Sequence, residues 1–505
     1  MTDPPEGRGT LLDRRTFLKG AGAAGLGGLW LSGCSRPEAA IPLRPKPFFH
    51  GEFAGRIGVA REDITPPPGI YARNWGAARH EVARGVHRPL TVTMLALQRT
   101  GATEPVFLGA LDLGWWKSAE DERFIREPLL RAFAIDGSRV VLNLSHTHAG
   151  PAVSREDEAM PGGSLIAPYL EKVRDAVTKA ARRAIESSVE GVLTWNTGRC
   201  ALAVNRDLKD PARDRMVTGF NPGSPADDTV LVGRVTDRKG KVPAVLVNYA
   251  CHGTTLAWEN ELLSPDFAGA LRETVEANVP GAVCLYLQGP SGELAPREQY
   301  TSDVRIADRN GRELAFAALS ALEGMLPPET RLEYWGVVES GAPLAVWRRA
   351  PRGAPEVLAA SRVEVEMALK PMPSVRELEV LLGTTTDRVQ AERLRRKMRV
   401  RKIVGDGSSA QVPLWVWRVG DAFVVGHPNE AYSRLQTELR RTFPDHPIVV
   451  MNLVNGSIGY LPRAELCDLD LYQVWQSPFE RGSLELLIVR AGEEIVRLGG
   501  VPRSG

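Results

Sequence analysis

The chain has 505 residues, 43% hydrophobic and 25% charged, with 49 Gly and 37 Pro, the proportions of a globular protein able to bury a large core rather than of a disordered or fibrous one. Its 63 Lys and Arg stand against 61 Asp and Glu, a net charge of +2, with no basic patch or aromatic-interleaved basic stripe. No nucleic-acid partner is therefore expected.

The first predicted element is an address. Arg14 and Arg15 precede an apolar, Gly/Ala-rich stretch at 20–31, which resembles a twin-arginine export signal. The stretch ends in Leu31-Ser32-Gly33-Cys34, similar to a lipoprotein box in which Cys34 is acylated and becomes the first residue of the mature chain. About a dozen apolar residues reach only ~18 Å as a helix, short of a ~30 Å hydrocarbon core, so a membrane-spanning anchor is not expected here. The expected location is extracytoplasmic, periplasm or cell surface, with membrane association through the lipid on Cys34. Twin-arginine export carries proteins already folded, often around a metal, which favours a cofactor-containing enzyme. Residues 35–54, rich in Pro and charge, read as a tether.

From residue 55 onward strand-like and helix-like patterns alternate. Short β-rich runs are predicted at 106–112, 140–145, 244–250, 282–287, 414–419 and 448–453. Between them, Leu170, Val173, Val177, Ala181 and Ala184 keep helical spacing, as do Leu314, Ala318 and Leu322, and 484–498 reads as a last helix. Residues 349–401 are charged and interrupted by Pro351, Pro355, Pro371 and Pro373, and read as a helical insertion. The expected architecture is α/β: one large catalytic body over 55–500, a mixed β-sheet with flanking helices. Apart from Cys34 the cysteines are Cys200, Cys251, Cys284 and Cys467, with no C-x-x-C pair, which argues against a cysteine zinc knot. Buried free thiols are the plainer reading of these four and one long-range disulfide the alternative.

Only eight histidines occur, and three stand at the ends of predicted strands. His146 and His148 follow 140–145, where a spacing of two puts both imidazoles on one face of an extended segment. His252 follows 244–250 and precedes a Gly turn. Strand ends are where open α/β sheets place chemistry, and two imidazoles with a carboxylate suit zinc while leaving a position for water. Glu430 supplies a carboxylate where a strand breaks at Gly426 and Pro428 and a helix is predicted with Tyr432, Leu435 and Leu439 on its apolar face. A glutamate at a helix start is ordinarily a favourable dipole partner and no more.

Together these segments resemble the neutral/alkaline, non-lysosomal ceramidase family, over about residues 55–500. The resemblance runs through Asp63-Ile64-Thr65-Pro66-Pro67, Ser145-His146-Thr147-His148-Ala149-Gly150-Pro151, Asn205-Arg206, the segment ending in His252, Gly289-Pro290-Ser291-Gly292-Glu293-Leu294-Ala295-Pro296, the turn 426–430, and Asn455-Gly456-Ser457-Ile458-Gly459-Tyr460. It implies one catalytic Zn2+ held by His146, His252, Glu430 and Tyr460, with a donor beside the metal as the alternative for Tyr460; the catalytic residues it implies are His148 and Arg206, lining the substrate pocket, and Tyr472 as a further active-site tyrosine. It further implies hydrolysis of an amide, N-acyl sphingosine or a related small lipid-like substrate, by metal-activated water.

Two departures from the family pattern stand out. Characterised ceramidases carry G-D-V-S-P with a serine proposed as important, where this chain has Gly292-Glu293-Leu294-Ala295-Pro296. Ser291 does not complete a G-x-S-x-G elbow because position 293 is Glu. No segment matches the C-terminal β-sandwich domain of full-length ceramidases. The loss of the serine opens two alternatives: a non-catalytic ligand-binding lipoprotein on the same fold, or a zinc hydrolase for a non-ceramide amide or ester. Trp115, Trp116 and Trp258 are candidates for lining a pocket.

Overall fold

The computed structural model describes residues 45–503; the export signal, Cys34 and most of the tether lie outside the described residues. The larger compact unit begins at Pro47, and its first long strand, Gly51–Asp63, starts inside the expected tether, so the folded body begins earlier than the composition of 35–54 suggests.

That strand lies inside an eight-stranded sheet. The spatial order is Val283–Gln288, Ala244–Tyr249, Thr229–Asp237, Val189–Arg199, Gly51–Asp63, Thr91–Gln98, Val106–Leu111 and Val140–Leu144. The outermost pair at each end is parallel and the inner pairings are antiparallel, which makes the sheet mixed. A second sheet of four strands, in the order Leu358–Ala368, Ser409–Val419, Ala422–Gly426 and Ile448–Met451, packs against one face of the first. The predicted runs at 106–112, 140–145, 244–250, 282–287, 414–419 and 448–453 all fall on strands of these two sheets.

Their apolar runs are nearly unbroken because both faces are covered. Along Thr91–Gln98, Val92, Met94 and Ala96 pack under the helices Ala119–Phe133 and Ile166–Glu186, while Leu95 and Leu97 point into the layer between the sheets. In Ala244–Tyr249, Val245, Val247 and Tyr249 face the helices Phe267–Asn278 and Val304–Glu323, and Ala244 and Leu246 face the other sheet. The second sheet does the same: Trp415 and Trp417 turn inward, and Val416 turns toward Arg434–Thr442 and Ser483–Arg497. Four layers result, helices on sheet on sheet on helices.

Histidine-bearing strands at far-apart positions in the sheet order meet because the sheet curls and its two edges are stitched by buried asparagines. Gln288 N–H donates to Asn143 Oδ1 at 2.8 Å, joining one edge strand to the other. Asn143 Nδ2 donates to Asn452 O at 2.6 Å, Asn248 Nδ2 to Val450 O at 2.9 Å, and Asn455 Nδ2 to Val140 O at 2.7 Å. Edge backbone groups that would otherwise lie buried without partners are thereby satisfied.

The stretch 349–401 is only partly helical. Leu358–Ala368 is a strand of the second sheet, followed by helices Val375–Thr384 and Arg388–Val404. Val363, Val365 and Met367 point inward and Arg362, Glu364 and Glu366 outward, a period of two that high charge disguises as helix composition. The four cysteines of the body are free, and Cys200, Cys251 and Cys284 are buried. Among the described residues no helix is long and apolar enough to cross a membrane.

Candidate metal centre

The strand Val140–Leu144 ends two residues before His146, whose backbone N–H still donates to Leu113 O at 3.0 Å. His146 itself adopts φ +61°, so the His-Thr-His segment is not extended as its spacing suggests. The left-handed turn, not strand alternation, sets the direction of its ring. Thr147 forms a parallel bridge with Gly253, and His148 N–H donates to Gly253 O at 3.0 Å, which locks the pair beside His252. A side chain on Gly253 would stand 2.7 Å from His146 O, so glycine is what permits this approach.

Both metal-candidate imidazoles are oriented through Nδ1. His146 Nδ1 faces Gly114 O at 3.0 Å, and His252 Nδ1 faces Ser291 O at 2.6 Å and Leu294 O at 3.1 Å. A carbonyl only accepts, so in the neutral rings Nδ1 carries the hydrogen and Nε2 presents a lone pair. Each Nε2 lies 3.1 Å from the same atom, Glu430 Oε2, and Tyr460 Oη lies 3.4 Å from His252 Nε2. Glu430 does not open a helix as expected. It sits in the two-residue strand Glu430–Ala431, paired in parallel with Tyr460–Leu461 so that Glu430 and Tyr460 are register partners, and the helix starts later, at Arg434.

Lone pairs of two imidazoles facing a carboxylate oxygen repel unless a proton or cation stands between them. A tetrahedral ion with bonds of ~2.0–2.1 Å needs donors ~3.3–3.4 Å apart, close to the separations present. The chemistry and spacing of the four side chains thus fit a divalent cation with nitrogen and oxygen ligands. His148 is a further donor: the ligand atoms of His146, His148 and His252 all lie within 4.8 Å of one another. Its ring sits against Trp75 and Trp115, with centroids 4.9 and 5.0 Å away, and neither nitrogen has a hydrogen-bond partner among the described residues.

Protonation states agree with this picture. Burial, then the neighbouring Arg206, pushes His252 down to about 3. Burial, with His146 and His252 beside it, holds His148 well below the usual imidazole range. Burial and Glu430 raise the Tyr460 phenol well above its usual value.

Arg206 follows the strand Ala203–Asn205, which pairs with Leu294–Pro296. Its buried guanidinium donates to Gly292 O at 2.8 and 3.1 Å and to Tyr460 Oη at 3.3 Å, and Nη2 lies 3.1 Å from His252 Nε2. Tyr472 begins the short helix Tyr472–Gln476, and its ring meets Tyr460 edge-on at 5.6 Å. Arg396 Nη1 and Gln476 Nε2 donate to its hydroxyl at 3.1 and 3.3 Å. The structure thus gathers His146, His148, His252, Arg206, Glu430, Tyr460 and Tyr472 in one place. Cys34 lies outside the described residues.

A cavity of about 100 Å³ opens beside His146, His148, Glu430 and Tyr460, with Trp115, Trp116 and Tyr472 in its wall. Arg206, expected to line the pocket, is not among its lining residues, because its guanidinium is buried against Gly292 O and Tyr460 Oη; Trp258 is not among them either and packs on Trp75 at 6.0 Å. Sequence reading misses Trp75 and Arg396. Neither lies in a motif: one comes from a loop and the other from the helix Arg388–Val404 that borders the cavity. Ala295 is buried in the strand Leu294–Pro296, and Ser291 Oγ accepts from Gln288 Nε2 at 2.6 Å, so Ser291 serves His252 through its carbonyl.

No family model and no curated protein matches the chain. Solved structures do. A ceramidase complexed with C2 aligns with a TM-score of 0.62 and 15% identity, over 90% of this chain and 77% of that one. Neutral ceramidase from Pseudomonas aeruginosa aligns with a TM-score of 0.60 and 16% identity, over 91% of this chain and 76% of its own. This chain shares their fold. At that identity the likeness concerns the path of the backbone, and the chemistry is argued from the side chains above.

Proposed function

We propose that the chain is a zinc-dependent amidohydrolase of ceramidase type, cleaving N-acyl sphingosine or a related lipid-like amide outside the cytoplasm. The observation that carries this reading is the convergence of His146 Nε2, His252 Nε2, Glu430 Oε2 and Tyr460 Oη, with Nδ1 of both imidazoles tied to backbone carbonyls. Zinc, when bound, supplies Lewis-acid polarisation of an amide carbonyl and makes hydroxide available near neutral pH.

The remaining residues have distinct tasks. His148, neutral and with no hydrogen-bond partner on either ring nitrogen among the described residues, takes a proton from attacking water and returns it to the departing amine. Tyr472 accepts two hydrogen bonds through its oxygen, which leaves its own hydrogen to donate to an oxyanion in the cavity. Arg206, held against Gly292 O, keeps a positive charge beside Tyr460 and His252. A second reading, a zinc hydrolase for a non-ceramide amide or ester, is favoured by Ala295, which stands where ceramidases carry the serine.

Metal analysis of purified protein, with hydrolysis of N-acyl sphingosine set against N-acyl amino acids and simple esters, tests both readings. About one zinc per chain is expected, with turnover lost in His252→Ala. Native protein that turns over an amide without metal sinks the proposal. We further propose twin-arginine export and acylation of Cys34, testable by mass spectrometry of the mature N-terminus.

A further inference from the structure

Strands Thr330–Glu339 and Pro343–Pro351 form a two-stranded ribbon that joins neither main sheet. Isolated ribbons of this kind are marginal in water unless something covers them, and an uncovered hairpin edge invites aggregation. This one is unusually apolar. Between Trp335 and Trp347 the only charged residue is Glu339, next to the turn. Trp335 is 53% and Val337 52% exposed, and Tyr334, Val338, Leu344 and Trp347 are exposed as well.

The side chains are graded along the ribbon. Val337, Val338 and Leu344 lie nearest the turn. Behind them Tyr334 pairs with Trp347 across the strands, ring centroids 5.8 Å apart, and Trp335 lies at the bulge beside them. Arg348 covers the Trp335 ring at 3.6 Å, and Arg349 and Arg331 follow toward the base, Arg331 paired with Glu333 at 2.5 Å, which leaves the base a net positive charge. Aliphatic residues flanked by Trp and Tyr and then by arginine match the depth profile of a lipid interface, where aromatic rings sit at headgroup level and guanidinium groups meet phosphate. Glu339 beside the turn keeps the tip within the interface, so the ribbon dips into the bilayer surface without passing through it.

A second observation names the occupant. The folded body begins at Pro47, and the next residue, Phe48, forms an antiparallel bridge with Leu332 in the ribbon itself. Phe48 and Phe49 are exposed there. Fourteen positions separate Phe48 from Cys34, at most ~50 Å of chain when extended. The chain that leads to Cys34 therefore enters the folded body at the ribbon itself. We infer that the ribbon 330–351 docks on the surface of a lipid bilayer, a second attachment beside the acyl anchor. This rests on the proposed acylation of Cys34 for its biological setting, while the docking itself is measurable without any acyl chain.

The test uses the full chain carrying Cys34→Ser, which cannot be acylated, floated with vesicles of mixed phosphatidylglycerol and phosphatidylcholine. Every variant shares residues 1–33, so differences between variants read the ribbon. Val338→Asp with Leu344→Asp should lower the vesicle-bound fraction at least tenfold. With brominated lipids, part of the tryptophan quenching should vanish in Trp335→Phe with Trp347→Phe, a milder pair that keeps the fold testable. Equal partition of the aspartate variant, or quenching unchanged by the phenylalanine pair, overturns the inference. So does a concentration-dependent dimer, broken by Leu344→Asp, that does not bind vesicles. None of these outcomes depends on amide hydrolysis.

Discussion

Glu430→Gln separates a metal ligand from a structural residue, because the two roles predict opposite effects on the metal-free protein. Glu430 Oε2 stands 3.1 Å from Nε2 of both His146 and His252, and the substitution keeps its shape while removing its charge. Partners that merely orient a ligand cost 10–100-fold in metal affinity when lost, so losing a direct anionic donor should cost at least ~100-fold, about 2.7 kcal/mol. By linkage, saturating zinc should then stabilise the variant by about that much less than the parent. Without metal, the new amide N–H₂ can donate to an imidazole lone pair, so the variant should be as stable as the parent or more so. Zinc titration followed by isothermal calorimetry, with thermal unfolding in chelator and in zinc, measures both halves. A variant that binds zinc as tightly as the parent but melts several degrees lower in chelator would refute the ligand assignment.

Further expectations follow from the geometry around the centre. Gly253→Ala places a methyl 2.7 Å from His146 O, against backbone that cannot move aside, and should cost about 1–3 kcal/mol in denaturant unfolding and weaken zinc binding. Asn143→Ala leaves Gln288 N–H and Asn452 O without their partner at the sheet seam and should cost about 2–6 kcal/mol, so an unchanged unfolding midpoint would argue that the seam does not hold the edges. Burial raises the Glu293 carboxyl to about 7 in the fold, against Ser433 hydrogen bonds that lower it. The native state then binds more protons than the unfolded chain, so the contribution of Glu293 is full below the ordinary carboxylate range and lost as pH rises through about 7. The stability of the parent relative to Glu293→Gln should fall over that window, and a flat difference between pH 4 and 8 would exclude it.

Much of the frame was legible in the linear chain. Alternation and unbroken apolar runs marked strands such as Val140–Leu144 and Ala244–Tyr249 because a strand covered on both faces has no polar side to show. Histidines immediately after such runs pointed to a centre at strand ends. The error at 349–401 has the same root: Leu358–Ala368 keeps a two-residue period, but charge on its outer face resembles helix composition. For Glu430 the sequence offered a helix start, and only pairing with Tyr460–Leu461 revealed that it is aimed by a strand.

The sequence by itself determined which residues could serve a metal, because donor chemistry belongs to each side chain wherever it lies. Only the tertiary structure decided that His146 and His252, which follow strands well separated in the sheet order, reach one carboxylate oxygen. That meeting depends on a curled sheet, on the asparagines closing its seam and on the left-handed turn at His146, none of which has a local signature. Contacts between residues a hundred or more positions apart are set by how whole layers pack, and periodicity within a short window carries no record of them.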